Sequence, residues 1–187
     1  MIFRTLFCRS QWDEAAEVLY SLAVAQARHP VFYTRLGVAD TVDGRFDMVV
    51  LHAFLLLHRL GTEPDTTAAL AQALFDVMLE DMDRSLREMG VSDLQVGRKV
   101  KVMAQAFYGR AAAYDAAVQA TEGRLLQAAL ERNVYRGTPP TQEGSLDILA
   151  TYVRAAVVAL AMQSFTELLA GRVLFGPPPE AIPDSHA

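Results

Sequence analysis

The chain has one cysteine, Cys8, and one tryptophan, Trp12, among its 187 residues. A single thiol excludes an intrachain disulfide and a thiolate metal cage, and it fits a reducing compartment. Positive charge is also in short supply. With 17 Lys and Arg against 22 Asp and Glu, the formal net charge is -5, which gives no electrostatic case for a phosphate-backbone partner or for nucleic-acid sequence recognition. No apolar/polar alternation of useful length marks a strand, so the fold class is expected to be all-α.

Long uninterrupted apolar runs are missing too. Met48–Leu57 is broken by His52 and falls far short of the roughly 20 apolar residues that a membrane span needs. Ile148–Leu169 is long enough but carries Arg154, Gln163, Ser164, Thr166 and Glu167. Both read as buried core helices. The opening MIFRTLFCR is interrupted by Arg4 and Arg9 and is too short for a signal-peptide core, so no export signal is expected.

What the chain does have is apolar residues at helical spacing, 52% of the total. Asp40–Leu60, DTVDGRFDMVVLHAFLLLHRL, joins a turn signal to the most apolar run and reads as the central helix. Arg45, His52 and Arg59 stand seven apart on one stripe, and Asp47 and His58 form a second stripe. The surface between them is aliphatic and aromatic, and neighbouring helices or a partner must cover it.

Around this helix the pattern predicts others. A first runs from Gln11 to Arg28 with Trp12, Ala15, Ala16, Leu19, Leu22, Ala23 and Ala27 inward, and Pro30 ends it. His29–Phe46 lacks a clean period and reads as an ordered loop. A helix from about Asp65 to Met89 carries Asp81 at the border of its apolar face, where a carboxylate needs a cation or a donor. Asp93–Val118 follows, with Gly97 and Gly109 as candidate breaks and Arg98, Lys99 and Lys101 projecting into solvent. Leu125–Tyr135 and Ser145–Leu169 complete a single domain over residues 1–175, about five to seven helices in all. Pro177, Pro178 and Pro179 then open a tail, 176–187, expected to be disordered.

The chemical motifs of helical enzymes do not form. A carboxylate-bridged di-iron bundle needs Glu-x-x-His pairs, but Gln26, Val49 and Leu55 precede His29, His52 and His58 by three residues. An isoprenoid enzyme that holds magnesium on a diphosphate needs two facing acidic clusters, and only Asp76–Asp83 is available. His52 and His58 lie on different helix faces and cannot chelate one ion. Neither a phosphate loop nor a serine elbow is present. No catalytic constellation and no cofactor are therefore expected.

Four separated motifs carry a family resemblance. They are Leu51-His52; Glu80-Asp81 followed by Met89-Gly90-Val91; Phe107-Tyr108 leading to Tyr114-Asp115; and Tyr152-Val153-Arg154. Over Phe32–Phe165 the chain resembles the ubiquinol–cytochrome c chaperone family of complex III assembly factors, and FYTRLGVADTVDGRFDMVVLH is similar to its bacterial branch. Leu79 or Phe54 stands where mitochondrial members carry a tryptophan. Ala116 and Ala117 replace their acidic residue and glycine.

The resemblance implies a non-enzymatic chaperone that holds nascent cytochrome b. It would act in the cytoplasm or at the inner face of the cytoplasmic membrane, with the ribosome or the membrane surface as further contacts. Candidate groove residues are Phe32, Tyr33, Phe46, Phe54, Phe107 and Tyr108. His52, Asp81, Tyr114 and Asp115, all within the motifs, are expected to form one internal polar cluster. The alternative is a helical binder of haem, quinone or lipid. The oligomeric state is not legible.

Overall fold

The computed structural model describes residues 11–179 except Thr121 and Thr141. Cys8 and the tail from Glu180 onward lie outside the described residues. Within them the chain forms helices and no strand: α1 (Gln11–Ala27), α2 (Pro30–Thr34), α3 (Val42–Leu60), α4 (Pro64–Glu88), α5 (Asp93–Gln119), α6 (Gly123–Asn133), α7 (Ser145–Ala161) and α8 (Phe165–Leu169). Helix α3 is the centre. It packs against α1, α4, α5 and α7, and every residue from Asp47 to Leu56 is buried.

Local chemistry sets where α3 begins. The Thr41 hydroxyl accepts a hydrogen bond from the Gly44 amide at 3.1 Å, satisfying one of the orphan donors of the first turn. Gly44 is needed for a different reason. A Cβ there would sit 2.0 Å from the Ala39 carbonyl oxygen, so only glycine lets the incoming chain cross the helix start so closely.

Three local features differ from the sequence expectations. The segment read as a loop contains α2, because Pro30, expected only to end α1, also opens the next helix; a proline fits a first turn, where no partner awaits its missing N–H. Helix α5 runs unbroken through Gly97 and Gly109, each with open space where a side chain would be. A glycine there weakens a helix by about 1 kcal/mol without stopping it.

The last predicted helix divides into α7 and α8. Arg59 accounts for the break: its Nε donates to the Leu160 carbonyl at 2.8 Å and its Nη2 to the Gln163 carbonyl at 2.7 Å. The Leu160 carbonyl also takes the Gln163 amide at 3.2 Å, so Arg59 adds donors where the α7 hydrogen-bond ladder runs out. The guanidinium also lies 3.6 Å from the centre of the Phe165 ring. Ser164 then caps α8 by accepting from the Glu167 amide at 3.3 Å.

In α1, Ala15, Ala16, Leu19, Ala23 and Ala27 are buried as expected, while Trp12 is half-buried and Leu22 is 38% exposed. Residues 176–179 run beside α7.

Replacing Gly44 by alanine is expected to cost about 1–3 kcal/mol of stability, the range for a forced overpacking. Urea denaturation of the purified variant measures it; an unchanged midpoint would show that the Ala39 turn yields freely.

Candidate binding groove

The two polar stripes of α3 face different helices. His52 and Arg59 look toward α7, and Asp47 and His58 look toward α5. Arg45 leaves the first stripe for solvent, paired with Asp40 at 2.6 Å.

His52 is fully buried, and both of its ring nitrogens are engaged. Nδ1 lies 2.8 Å from the Met48 carbonyl, which can only accept, so Nδ1 carries the proton. Nε2 therefore accepts from the Tyr152 hydroxyl at 2.8 Å. The Tyr152 oxygen in turn accepts from Gln26 Nε2 at 3.0 Å. Phe32, Tyr152 and Phe175 pack their rings 5.2–5.8 Å from one another or from the imidazole. Desolvation lowers the His52 pKa from 6.5 to about 4, so the imidazole is neutral, and its two hydrogen bonds leave no nitrogen free for a metal.

Asp47 is the other buried charge. Arg136 Nε bonds its Oδ2 at 2.7 Å, and Arg110 Nη2 lies 2.9 Å from Oδ1 as an ion pair without hydrogen-bond alignment. Burial raises the Asp47 pKa, and Arg136 and Arg110 oppose the rise. Asp81 has the donors that its border position demanded: Tyr20 Oη from α1 at 2.8 Å, and Arg84.

His58 Nδ1 lies 2.8 Å from Asp115 Oδ1. This pair stands on the rim of an open cleft of about 600 Å³ between α3, α4 and α5. Phe54, Leu57, Phe75, Phe107, Tyr108 and Ala111 line it. Phe75 stacks obliquely on Phe107 and Tyr108, with ring centres 5.6 and 5.2 Å away. Tyr108 is 61% exposed and Phe75 half-buried, so these two rings meet solvent, while Phe107 and Phe54 are buried.

The expected groove residues therefore divide. Phe54, Phe107 and Tyr108 line the cleft, as does Asp115. Phe32 is core beneath His52. Tyr33 ties its hydroxyl to the Ala27 carbonyl at 2.7 Å, and Phe46 lies 5.8 Å from the Arg110 guanidinium. These three do not line the cleft: Phe32 is buried, and Tyr33 and Phe46 are half-buried elsewhere.

The single polar cluster expected from His52, Asp81, Tyr114 and Asp115 does not form. Among the described residues no hydrogen bond joins any two of them. Their partners lie on α7, α1 and α3 respectively for His52, Asp81 and Asp115, while the buried Tyr114 ring packs on Phe54 with centres 5.3 Å apart and its hydroxyl has no partner. Sequence reasoning missed Phe75 and Leu57 as cleft residues. Phe75 lies on α4 and meets Phe107 and Tyr108 of α5, a pairing across helices that no local pattern signals.

Fold and cleft together define a class: an all-α domain that presents apolar aromatic surface. Among the described residues no group of His, Cys, Asp and Glu could hold a metal ion, and no helix is long and apolar enough to cross a membrane. The profile of the family described as ubiquinol-cytochrome C chaperone matches residues 34–175, and the chain belongs to that family.

A crystal structure titled as the Cbp3 homolog from Brucella abortus is similar at 37% identity and a TM-score of 0.77, covering 87% of this chain and 89% of that one. Ubiquinol-cytochrome-c reductase complex assembly factor 1 of Xenopus laevis is 26% identical, over 87% of this chain and 81% of its own. The Mus musculus protein of the same name is 28% identical over 91% of this chain, which spans 58% of its length.

Acid should act through His52. Between pH 6.5 and about 4 the unfolded chain binds a proton that the folded chain refuses. This contribution is complete above the unfolded pKa and is lost as pH falls through the window, by up to about 3 kcal/mol. Urea midpoints at about pH 7 and about pH 4.5 should fall further apart in the native chain than in His52→Phe. Tyr152→Phe should cost about 1–3 kcal/mol at neutral pH by stranding His52 Nε2; a neutral substitution would refute the hydrogen-bond assignment.

Proposed function

We propose that this protein is an assembly chaperone for ubiquinol–cytochrome c reductase that holds newly made cytochrome b without catalysis, using the α3–α4–α5 cleft as the client-binding surface. The observation that supports this reading is the aromatic pair of half-buried Phe75 and exposed Tyr108 at the open cleft, backed by the buried Phe107 ring. An open apolar cleft suits a helix of a hydrophobic client, whose i, i+3 and i+4 side chains can dock against it. A small ligand calls for a site that encloses most of its surface, and His52 has no free nitrogen to offer haem.

His58 and Asp115 place a polar pair on the rim of the apolar floor, where a polar backbone end or side chain of the client can be met. A client that is a membrane subunit favours a location in the cytoplasm or beside the inner face of the cytoplasmic membrane.

Phe75→Asp and Tyr108→Asp put a carboxylate into the cleft at positions that are partly or largely exposed, so the fold should persist. Capture of cytochrome b by photo-crosslinking in growing cells is expected to fall about tenfold or more, the effect of losing about 1.4 kcal/mol or more of contact. The bc1 complex should fall with it. Undiminished capture, with normal circular dichroism, would move the client to another face.

A further inference from the structure

The N-terminal half of α5 stands away from the core. Between Asp93 and Ala106 only Val96 is buried. Its outer surface combines two features that rarely share exposed helix. Leu94 is 96% exposed and Val102 57%, and Met89 in the preceding turn is 54% exposed. Arg98, Lys99 and Lys101 are interleaved with them and exposed.

At 100° per residue, Leu94, Arg98, Lys101, Gln105 and Tyr108 fall within about 40° of one line along the helix. Val102 flanks that line. Gly97 and Gly109 have open space where a side chain would be, which keeps the helix surface low.

The charge is arranged as well as exposed. From Leu94 to Tyr114 the helix contains no carboxylate, although the whole chain is net negative. The arginines around it are neutralised: Arg84 by Asp81, Arg87 by Asp83 and Arg110 by Asp47. Arg98, Lys99 and Lys101 have no carboxylate partner among the described residues.

We infer that this face of α5 docks on an anionic phospholipid surface, with Arg98 and Lys101 at the headgroup phosphates and Leu94 and Val102 entering the acyl boundary. A helix with cations beside aliphatic side chains lies in a membrane interface in this manner. Anionic lipid attracts cations near its surface, and apolar burial adds to that attraction. RNA would engage the same cations and could stack on Tyr108, but it offers nothing to a fully exposed leucine or valine.

The face ends at Tyr108, which also lines the α3–α4–α5 cleft, so a protein docked this way holds the cleft mouth beside the membrane. The lipid contact does not depend on the identity of the client.

Flotation of the full chain with vesicles tests the inference. Phosphatidylcholine vesicles containing about one-third phosphatidylglycerol are compared with pure phosphatidylcholine. The native chain should float with the anionic vesicles and stay behind with the neutral ones. The double variant Arg98→Gln, Lys101→Gln should bind about twenty-five-fold more weakly, about fivefold for each cation. Leu94→Ser with Val102→Ser should weaken binding several-fold at unchanged charge.

Equal flotation on both vesicle types, or an unchanged Arg98/Lys101 double variant, would overturn the inference. So would an unchanged serine pair when the Arg98/Lys101 double variant loses co-sedimentation with ribosomes, since that result assigns the cations to RNA. These variants leave Phe75 and the cleft floor intact, so a failure here is distinguishable from a failure of the cleft as client site.

Discussion

Burial of α3 is the constraint that the rest of the domain meets. Apolar burial supplies most of the driving force but has little directional content, because any aliphatic neighbour can cover a leucine. The polar groups on α3 do have direction. Asp47, His52 and Arg59 are each taken out of water, and each must find a partner at one place and angle. Arg110 and Arg136 meet the first, Tyr152 the second, and the carbonyls at the end of α7 the third. The positions of α5, of the turn after α6 and of α7 around the central helix follow from these pairings.

The cost of such pairing explains its economy. A buried ion pair adds little net stability, while removing one partner leaves an uncompensated charge that costs several kcal/mol. The Asp47 pairs therefore act chiefly against wrong arrangements of α5 and of the α6–α7 turn. Arg136 illustrates this: it holds a left-handed backbone at φ 55, unusual outside glycine, while its side chain reaches Asp47 and Asp43. His52 works by the opposite route. It remains neutral, and its two hydrogen bonds fix one tautomer and join α3 to α7 without a buried charge.

With the core locked in this way, the α3–α4–α5 cleft can remain open. Phe54 and Phe107 anchor its floor in the core, and Phe75 and Tyr108 pack on Phe107 at its mouth. The domain of this family member thus has a fixed interior that supports an exposed apolar edge. That division of labour suits a protein whose partner is itself apolar.

The sequence alone determined the all-α class, the central place of Asp40–Leu60, most helix limits and the family motifs, because period, caps and prolines are local signals. It also marked His52, Asp81 and Asp115 as polar groups needing partners. Only the tertiary structure decided what those partners are, since Tyr152 lies 100 residues from His52 and Tyr20 lies 61 from Asp81. Grouping them into one cluster failed for that reason: motif membership records that a residue matters, while packing angles decide whom it meets. The same holds for the cleft. Phe32 sits in the core against His52 and Tyr152, while Phe75 of α4 meets Phe107 and Tyr108 of α5 at the cleft, and neither set of neighbours is near in sequence.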